Sequence, residues 1–260
     1  MCSAPAWVLV HSPMMGPAVW AGVAGELRAR GRTVVLPSLK LVADAPPPQW
    51  PVAVEAVRAA TEGIEAPVML AGHSAAGVLL PPIATAIEPE VAGILFVDSL
   101  LPPSAGVAPS GPMPLIASLR SLAVDGRIPP LWSWFGEDLM SELVPDEELR
   151  ATLEADMPPF PLSYFDTGID MPVGWGDRPC GYVLLGPEFY GATAENARNR
   201  GWPVREIGGG HLAPASRPVR VTEALLELEG VLRTAPAPPR FAPPARPAGS
   251  PGGTASRPSP

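Results

Sequence analysis

Short, continuous apolar runs alternate with helical patterns along most of this chain, and this alternation is the feature that most constrains its fold. The runs that read as strands cover residues 7–10, 33–36, 67–71, 93–97, 181–185 and 203–207. A strand that is apolar at successive positions is buried on both faces, which is typical of a parallel sheet covered by helices. The sequence therefore predicts an α/β fold with a mostly parallel central sheet of about six strands and helices on both faces.

Helical patterns fill most of the gaps between these strands, at residues 20–30, 52–64, 75–87, 193–200 and 217–232. The alternation stops after Leu100, where the chain becomes rich in proline and tryptophan with mixed helical signals, such as the acidic start of 145–155. We expect residues 101–179, approximately, to form a helical cap inserted into a domain that spans 1–234.

The last 26 residues, 235–260, contain nine prolines and three arginines but no acid and no Leu, Ile or Val. Such a segment buries too little apolar surface to offset the entropy of ordering it, so a disordered tail is predicted. A nonspecific tether is one interpretation of this tail, and a proline-rich ligand for a partner domain is the other.

The charge, the apolar runs and the cysteines of the chain limit which partners and which cellular location are expected. The 18 basic residues are outnumbered by 26 acidic ones and form no basic stripe, which argues against nucleic acid as a partner. No apolar run reaches the roughly 20 residues of a membrane span and the N-terminus lacks a secretory pattern, so no membrane association and a cytoplasmic location are expected. Cys2 and Cys180 have no Cys or His at metal-ligand spacing, so no metal site is predicted.

All three histidines of the chain, His11, His73 and His211, come at the C-terminal ends of predicted strands. In an open parallel sheet these ends meet at the crevice where ligands bind. A single histidine is more often a structural residue, but three histidines in equivalent places indicate a functional site.

The sequence Ala-Gly-His-Ser-Ala-Ala-Gly over 71–77 places Ser74 between a predicted strand and a predicted helix. A sharp turn there exposes the serine hydroxyl, and the small neighbours let strand and helix backbones approach closely, as in a nucleophile elbow. The N–H of Ala75, at the start of the helix, is placed to stabilise an oxyanion. A helix N-cap serine is the alternative interpretation.

A serine nucleophile needs a base within hydrogen-bond distance, and His211 is the candidate. It follows the last predicted strand directly after three glycines, 208–210, which free the backbone to orient the ring. The glycines lack the Lys-Ser/Thr pair of a phosphate-binding loop. His73 is expected to be a packing residue.

These residues resemble the α/β-hydrolase superfamily over about 7–232, and most closely its compact members, small-molecule esterases and hydroxynitrile lyases. The resemblance rests on Val10-His11 after the first strand, the elbow at Ser74 and His211 after the last strand. It implies a nucleophile, an acid and a histidine in that chain order.

Two positions are candidates for the acid. Asp98 ends the strand that follows the elbow, where some members of the superfamily carry it. Glu188 lies one position before the place that the superfamily more usually uses, which Phe189 occupies. Asp98 is preferred because a short carboxylate at a strand end orients an imidazole at little entropic cost.

The loop after the first strand departs from the superfamily pattern His-Gly-x, because it reads His11-Ser12-Pro13-Met14. Proline has no N–H, so the second oxyanion donor is expected from Ser12 or Met14, with His11 beside them. Some lyases of this superfamily also carry a hydroxyl residue after that histidine.

The sequence thus predicts a serine hydrolase that acts on a small ester or thioester through Ser74, His211 and Asp98, without a cofactor. The cap residues Trp132, Trp134, Phe135 and Met140 are expected either to line an apolar pocket or to pack the cap onto the domain. Alternatives are a non-hydrolytic, lyase-like enzyme and a catalytically silent member that binds a small molecule or a partner. Both a monomer and a homodimer remain open.

Overall fold

The computed structural model describes residues 4–134 and 136–234. The predicted tail at 235–260 and Phe135 of the predicted pocket therefore lie outside the described residues.

A parallel sheet of six strands in the order β10-β9-β4-β3-β1-β2 forms the centre of the fold. The strands of the described residues, in chain order, are β1 (Ala6–Val10), β2 (Val34–Val35), β3 (Val68–His73), β4 (Val91–Val97), β5 (Gly106–Ala108), β6 (Arg127–Ile128), β7 (Phe160–Pro161), β8 (Ile169–Met171), β9 (Cys180–Leu184) and β10 (Val204–Glu206). The predicted α/β class with a parallel sheet of about six strands is confirmed.

Helices cover both faces of this sheet. The α-helices are α1 (Ala18–Ala29), α2 (Trp50–Ala60), α3 (Leu80–Ala86), α4 (Met113–Leu122), α5 (Gly136–Leu143), α6 (Glu147–Ala155), α7 (Pro187–Asn199), α8 (Ala213–Ser216) and α9 (Pro218–Thr234). Alternate residues of β1 enter two separate cores: Trp7 and Leu9 pack with α1 and α9, whereas Val8 and Val10 pack with α2 and α3. Burial on both faces explains why the strands are apolar at successive positions.

Two helices begin at positions that differ from the predicted ones, and each has proline in its first turn. The predicted helix at 75–87 is a 3-10 segment, Ser74–Leu79, followed by α3, which has proline at its N-terminus. The predicted helix at 193–200 begins earlier, at Pro187. Proline has its φ angle already set for a first helical turn and needs no N–H partner there.

The segment between β4 and β9, predicted as a helical cap, also contains strands. It holds α4, α5 and α6 together with two antiparallel pairs, β5 with β8 and β6 with β7. These strands are two or three residues long, which is too short for an alternating pattern to be seen in a sequence.

The strand order brings the chemically important loops to one edge of the sheet. From β1 the chain passes to β2 on one side and then to β3 on the other, so a crevice opens between the C-terminal ends of β1 and β3. β3 and β4 end in register, with His73 opposite Val97. The next residues, Ser74 and Asp98, therefore emerge side by side.

Candidate active site

The backbone is strained at the two residues that leave these strands. Ser74 has φ +59° and Asp98 has φ +44°, a left-handed conformation that non-glycine residues seldom adopt. Such strain costs free energy and is concentrated at functional sites, where the surrounding structure enforces it. At Ser74 it produces the sharp strand-to-helix turn that the sequence predicted.

Small residues allow this turn. A Cβ atom added to Gly72 would lie 2.7 Å from the side chain of Leu80, and one added to Gly77 would lie 2.4 Å from the backbone oxygen of Leu100. Ala76, where the superfamily more often has glycine, is fully buried. The turn therefore accommodates the additional methyl group of Ala76, whereas it leaves no room for one at Gly77.

A chain of hydrogen bonds joins Ser74, His211 and Asp98. The Nε2 atom of His211 lies 2.9 Å from Ser74 Oγ, and its Nδ1 atom lies 2.7 Å from Asp98 Oδ2. Because the buried Asp98 carboxylate accepts from Nδ1–H, Nε2 carries the lone pair and accepts from the serine hydroxyl. This is the arrangement that a serine nucleophile and its general base require.

Asp98 is held in place by the two residues that follow β9. Its Oδ1 atom accepts hydrogen bonds from the N–H groups of Leu185 and Gly186, at 2.9 and 3.1 Å. Glu188, the alternative acid, is exposed in the first turn of α7, and it is Asp98 that bonds to His211. The geometry thus brings together the three residues that the sequence favoured.

His73 is buried beside the site and also forms a hydrogen bond to it. Its Nε2–H donates to the backbone oxygen of His211 at 2.8 Å, and the two rings lie 4.6 Å apart. Burial, followed by the nearby His211, lowers the pKa of His73 well below its usual value. A neutral His73 therefore fixes the backbone of His211, a contact that the packing interpretation did not include.

Tyr190 is a site residue that sequence reasoning missed. Its ring stacks on His211 with centroids 5.3 Å apart and planes 10° apart, and it lines the same cavity as Ser74. Burial, and then the charge of Asp98, raise the pKa of Tyr190 to about 12, while an interaction with the Ser74 side chain lowers it. The only signal in the sequence was its position four residues after Gly186.

His11 holds the loop after β1 and does not line the cavity. Its Nε2 accepts from the N–H of Leu39 at 3.0 Å, so its Nδ1 carries the proton and donates to the oxygen of Ser12 at 2.8 Å. Burial lowers the pKa of His11 to about 4, which keeps it neutral. The structure therefore places His11 behind the oxyanion loop and not among groups facing a substrate.

The expected second oxyanion donors are arranged around Ser12. The N–H of Met14 donates to Ser12 Oγ at 3.3 Å, and the N–H of Met15 donates to the Ser12 oxygen at 2.9 Å. The Met14 N–H is thus engaged within the loop. Ala75, second in its 3-10 segment, has an N–H with no partner inside that segment, and this N–H remains the predicted oxyanion donor.

A cavity of about 300 Å³ lies over Ser74 and His211. Its wall is largely apolar and combines the β1 loop with the segment between β4 and β9, including Met14, Trp132, Trp134, Met140, Met157 and Phe165. The described lining residues include no Asp, Glu, Lys or Arg. Trp132, Trp134 and Met140 therefore line the pocket, which is one of the two roles that the sequence predicts for them.

Within residues 4–134 and 136–234, no group of three or more His, Cys, Asp or Glu side chains is arranged to hold a metal ion. None of the helices in those residues has the length and apolar character needed to cross a bilayer.

The chain belongs to the α/β hydrolase family, whose model matches residues 7–224. An extracellular α/β-hydrolase from a Paenibacillus species superposes with a TM-score of 0.67 at 18% identity, covering 86% of this chain and 99% of the other. By sequence, none of the curated proteins matches the chain.

Two more solved structures share this fold. A pyrethroid hydrolase from Sphingobium faniae JZ-2 superposes with a TM-score of 0.65 at 18% identity, covering 88% of this chain and 98% of its own. Tomato methylketone synthase I, crystallised with β-ketoheptanoate, gives a TM-score of 0.63 at 15% identity, covering 89% of this chain and 100% of its own. At such identities the likeness shows the fold, and the activity has to be argued from the site.

Proposed function

We propose that this protein is a serine hydrolase that cleaves a small, uncharged ester or thioester through a covalent acyl intermediate on Ser74. The observation that carries the proposal is the unbroken hydrogen-bond chain from Asp98 through His211 to Ser74 at the floor of an apolar cavity.

The proposed reaction has two halves. Ser74 Oγ attacks the acyl carbon while its proton moves to His211 Nε2, and the imidazolium is stabilised by Asp98. The Ala75 N–H stabilises the charge on the carbonyl oxygen, and His211 returns the proton to the leaving group. Water then attacks the acyl carbon and gives a proton to His211 Nε2, and the bond from Ser74 Oγ to the acyl carbon breaks as His211 returns that proton to Oγ and the acid leaves.

The cavity limits the substrate. A carboxylate or phosphate brought into it would lose its hydration without meeting a cationic side chain among the described lining residues, which is unfavourable. The volume of about 300 Å³ is at the lower end of the range for small-molecule sites. We therefore expect a compact apolar acyl or aryl group next to the scissile bond.

One observation favours a second candidate, a non-hydrolytic enzyme that uses Ser74 and His211 for proton transfer. Pro13 has no N–H and that of Met14 is bonded to Ser12, so the oxyanion site has fewer backbone donors than a typical hydrolase. Methylketone synthase I shows that this fold is also found in an enzyme named as a synthase. Such an enzyme would turn over without acylating its serine.

Labelling with a fluorophosphonate tests the proposal, because this reagent reacts with activated serines. We expect a single adduct on Ser74 by peptide mass spectrometry, absent from Ser74→Ala and strongly reduced in His211→Ala. A panel of neutral nitrophenyl esters should then be hydrolysed by the wild type alone. A correctly folded wild type that takes up no label would contradict the hydrolase proposal and direct attention to proton transfer or to ligand binding without catalysis.

A further inference from the structure

Tyr190 lies where it can act on both members of the nucleophile and base pair. It is the fourth residue of α7, which begins directly after the two residues whose N–H groups bond to Asp98. Its ring lies parallel to that of His211 at 5.3 Å, and His211 Nε2 is 2.9 Å from Ser74 Oγ. Tyr190 and Ser74 line the same cavity.

His211 is confined from two sides by these contacts. His73 lies against the ring at 4.6 Å and bonds to the His211 backbone, and Tyr190 stacks on the ring at 5.3 Å. Tilting the imidazole out of its plane would break the stacking with Tyr190 as well as the hydrogen bond from Nδ1 to Asp98. The Tyr190 ring thus fixes the ring plane, and Asp98 selects the orientation in which Nε2 faces the serine.

Backbone hydrogen-bond donors in the loop after β1 are scarce. Pro13 contributes none, and the Met14 N–H is bonded to Ser12 Oγ. The Tyr190 side chain shares the cavity with Ser74 and stacks on the histidine bonded to that serine, and burial raises the pKa of the Tyr190 phenol to about 12. It therefore stays protonated at neutral pH and is a donor.

We propose that Tyr190 is a further catalytic residue, whose hydroxyl donates a hydrogen bond to Ser74 Oγ as that oxygen loses its proton and whose ring holds His211 in place. The inference rests on the proposed hydrolase function.

In the attack step the bond from Ser74 Oγ to the acyl carbon forms, and the proton of Oγ passes to His211 Nε2. The π electrons of the carbonyl move to its oxygen, facing the Ala75 N–H. Tyr190 keeps its proton throughout and stabilises the partial negative charge on Oγ before the new bond is complete. Hydrogen bonds to charged groups are stronger than those to neutral ones, so this donor acts more on the transition state than on the resting serine.

The test is the rate of fluorophosphonate labelling at Ser74 in Tyr190→Phe, which keeps the stacked ring and removes the hydroxyl. We expect the second-order labelling rate and kcat for a nitrophenyl ester to fall by about 10- to 100-fold, with KM changed less than about threefold. The matched control is Tyr164→Phe, because Tyr164 is also buried, its hydroxyl has no hydrogen-bond partner and it does not line the cavity. This control should label at the wild-type rate.

The outcomes separate the two proposals. If the wild type labels at Ser74 and Tyr190→Phe labels equally fast, the role of the hydroxyl is refuted and the hydrolase proposal stands. If the folded wild type does not label, the hydrolase proposal fails, and the catalytic role of Tyr190 fails with it.

The imidazole 15N resonances of His211 test the role of the Tyr190 ring separately from that of its hydroxyl. These should be preserved in Tyr190→Phe and shifted in Tyr190→Leu, which removes the stacked ring. Unchanged His211 resonances in Tyr190→Leu would show that the ring does not orient the base.

Discussion

Replacing Asp98 by Asn tests how the carboxylate sets the proton on His211. In the wild type Oδ1 accepts from two backbone N–H groups and Oδ2 accepts from His211 Nδ1. An asparagine would keep its oxygen on the two N–H groups and turn its NH₂ group toward Nδ1. His211 would then carry its proton on Nε2, facing Ser74, and could not accept the serine proton.

The expected loss is large for activity and small for stability. A histidine in the wrong tautomer lowers kcat by about 10⁴-fold, which corresponds to roughly 5.5 kcal/mol of transition-state stabilisation. Stability should change by about 1 kcal/mol, because both N–H groups keep an acceptor and asparagine tolerates the φ of +44°.

Asp98→Ala provides the contrast. It would leave the N–H groups of Leu185 and Gly186 buried without an acceptor, at about 1–3 kcal/mol each. Alanine in a left-handed conformation adds roughly 1 kcal/mol, so a total destabilisation of about 3–7 kcal/mol is expected.

Urea unfolding and ester turnover of Asp98→Asn, Asp98→Ala and Glu188→Gln provide the measurements. Glu188→Gln should match the wild type in both its stability to urea and its ester turnover, since Glu188 is exposed. The reasoning is refuted if Asp98→Asn keeps turnover within tenfold of the wild type, and a loss of turnover in Glu188→Gln would identify the other carboxylate as the acid.

Three further perturbations test the surroundings of the site. The pKa of His11, lowered to about 4 by burial, lies below its unfolded value, so the unfolded chain binds more protons between the two values and stability falls as pH falls through that range. Urea unfolding should show about 2 kcal/mol lost from this group between pH 7 and 5, and histidine NMR in which His11 titrates near 6.5 would contradict it. Gly77→Ala places a Cβ 2.4 Å from a backbone oxygen and should lower the free energy of unfolding by about 2 kcal/mol or more. Gly25→Ala has open space around it in α1 and should raise that free energy by about 0.5–1 kcal/mol. Equal melting temperatures for the two variants would refute this. Asp156→Ala removes the side chain that accepts from the first N–H of α1 and should cost about 1 kcal/mol in urea unfolding, more than Lys40→Met, which removes only its half-exposed ion-pair partner.

The central sheet and the positions of its loops could be predicted because the controlling rules are local. Short apolar runs such as those in β1, β3 and β4, which alternate with helical patterns, favour buried strands in an α/β fold. The C-terminal ends of parallel strands share one edge, so the sequence alone predicts that Ser74, Asp98 and His211 meet there.

The rest of the site depends on contacts between segments far apart in the sequence. The choice between Asp98 and Glu188 follows from which carboxylate reaches Nδ1 of His211, a distance that the spacing of residues does not determine. Tyr190 belongs to the site only because α7 begins at Pro187, six residues before its predicted start. The short strands between β4 and β9 form through pairing across more than thirty residues and leave no periodic pattern.

Trapping the acyl intermediate tests the account most directly. The enzyme would be mixed with a nitrophenyl ester, quenched with acid within milliseconds to seconds, and analysed by intact and peptide mass spectrometry. Covalent catalysis by Ser74 predicts a transient adduct with the mass of the acyl group on that residue, together with a burst of nitrophenol, and neither of these in Ser74→Ala. Turnover without an adduct, retained in Ser74→Ala, would contradict covalent catalysis by this serine.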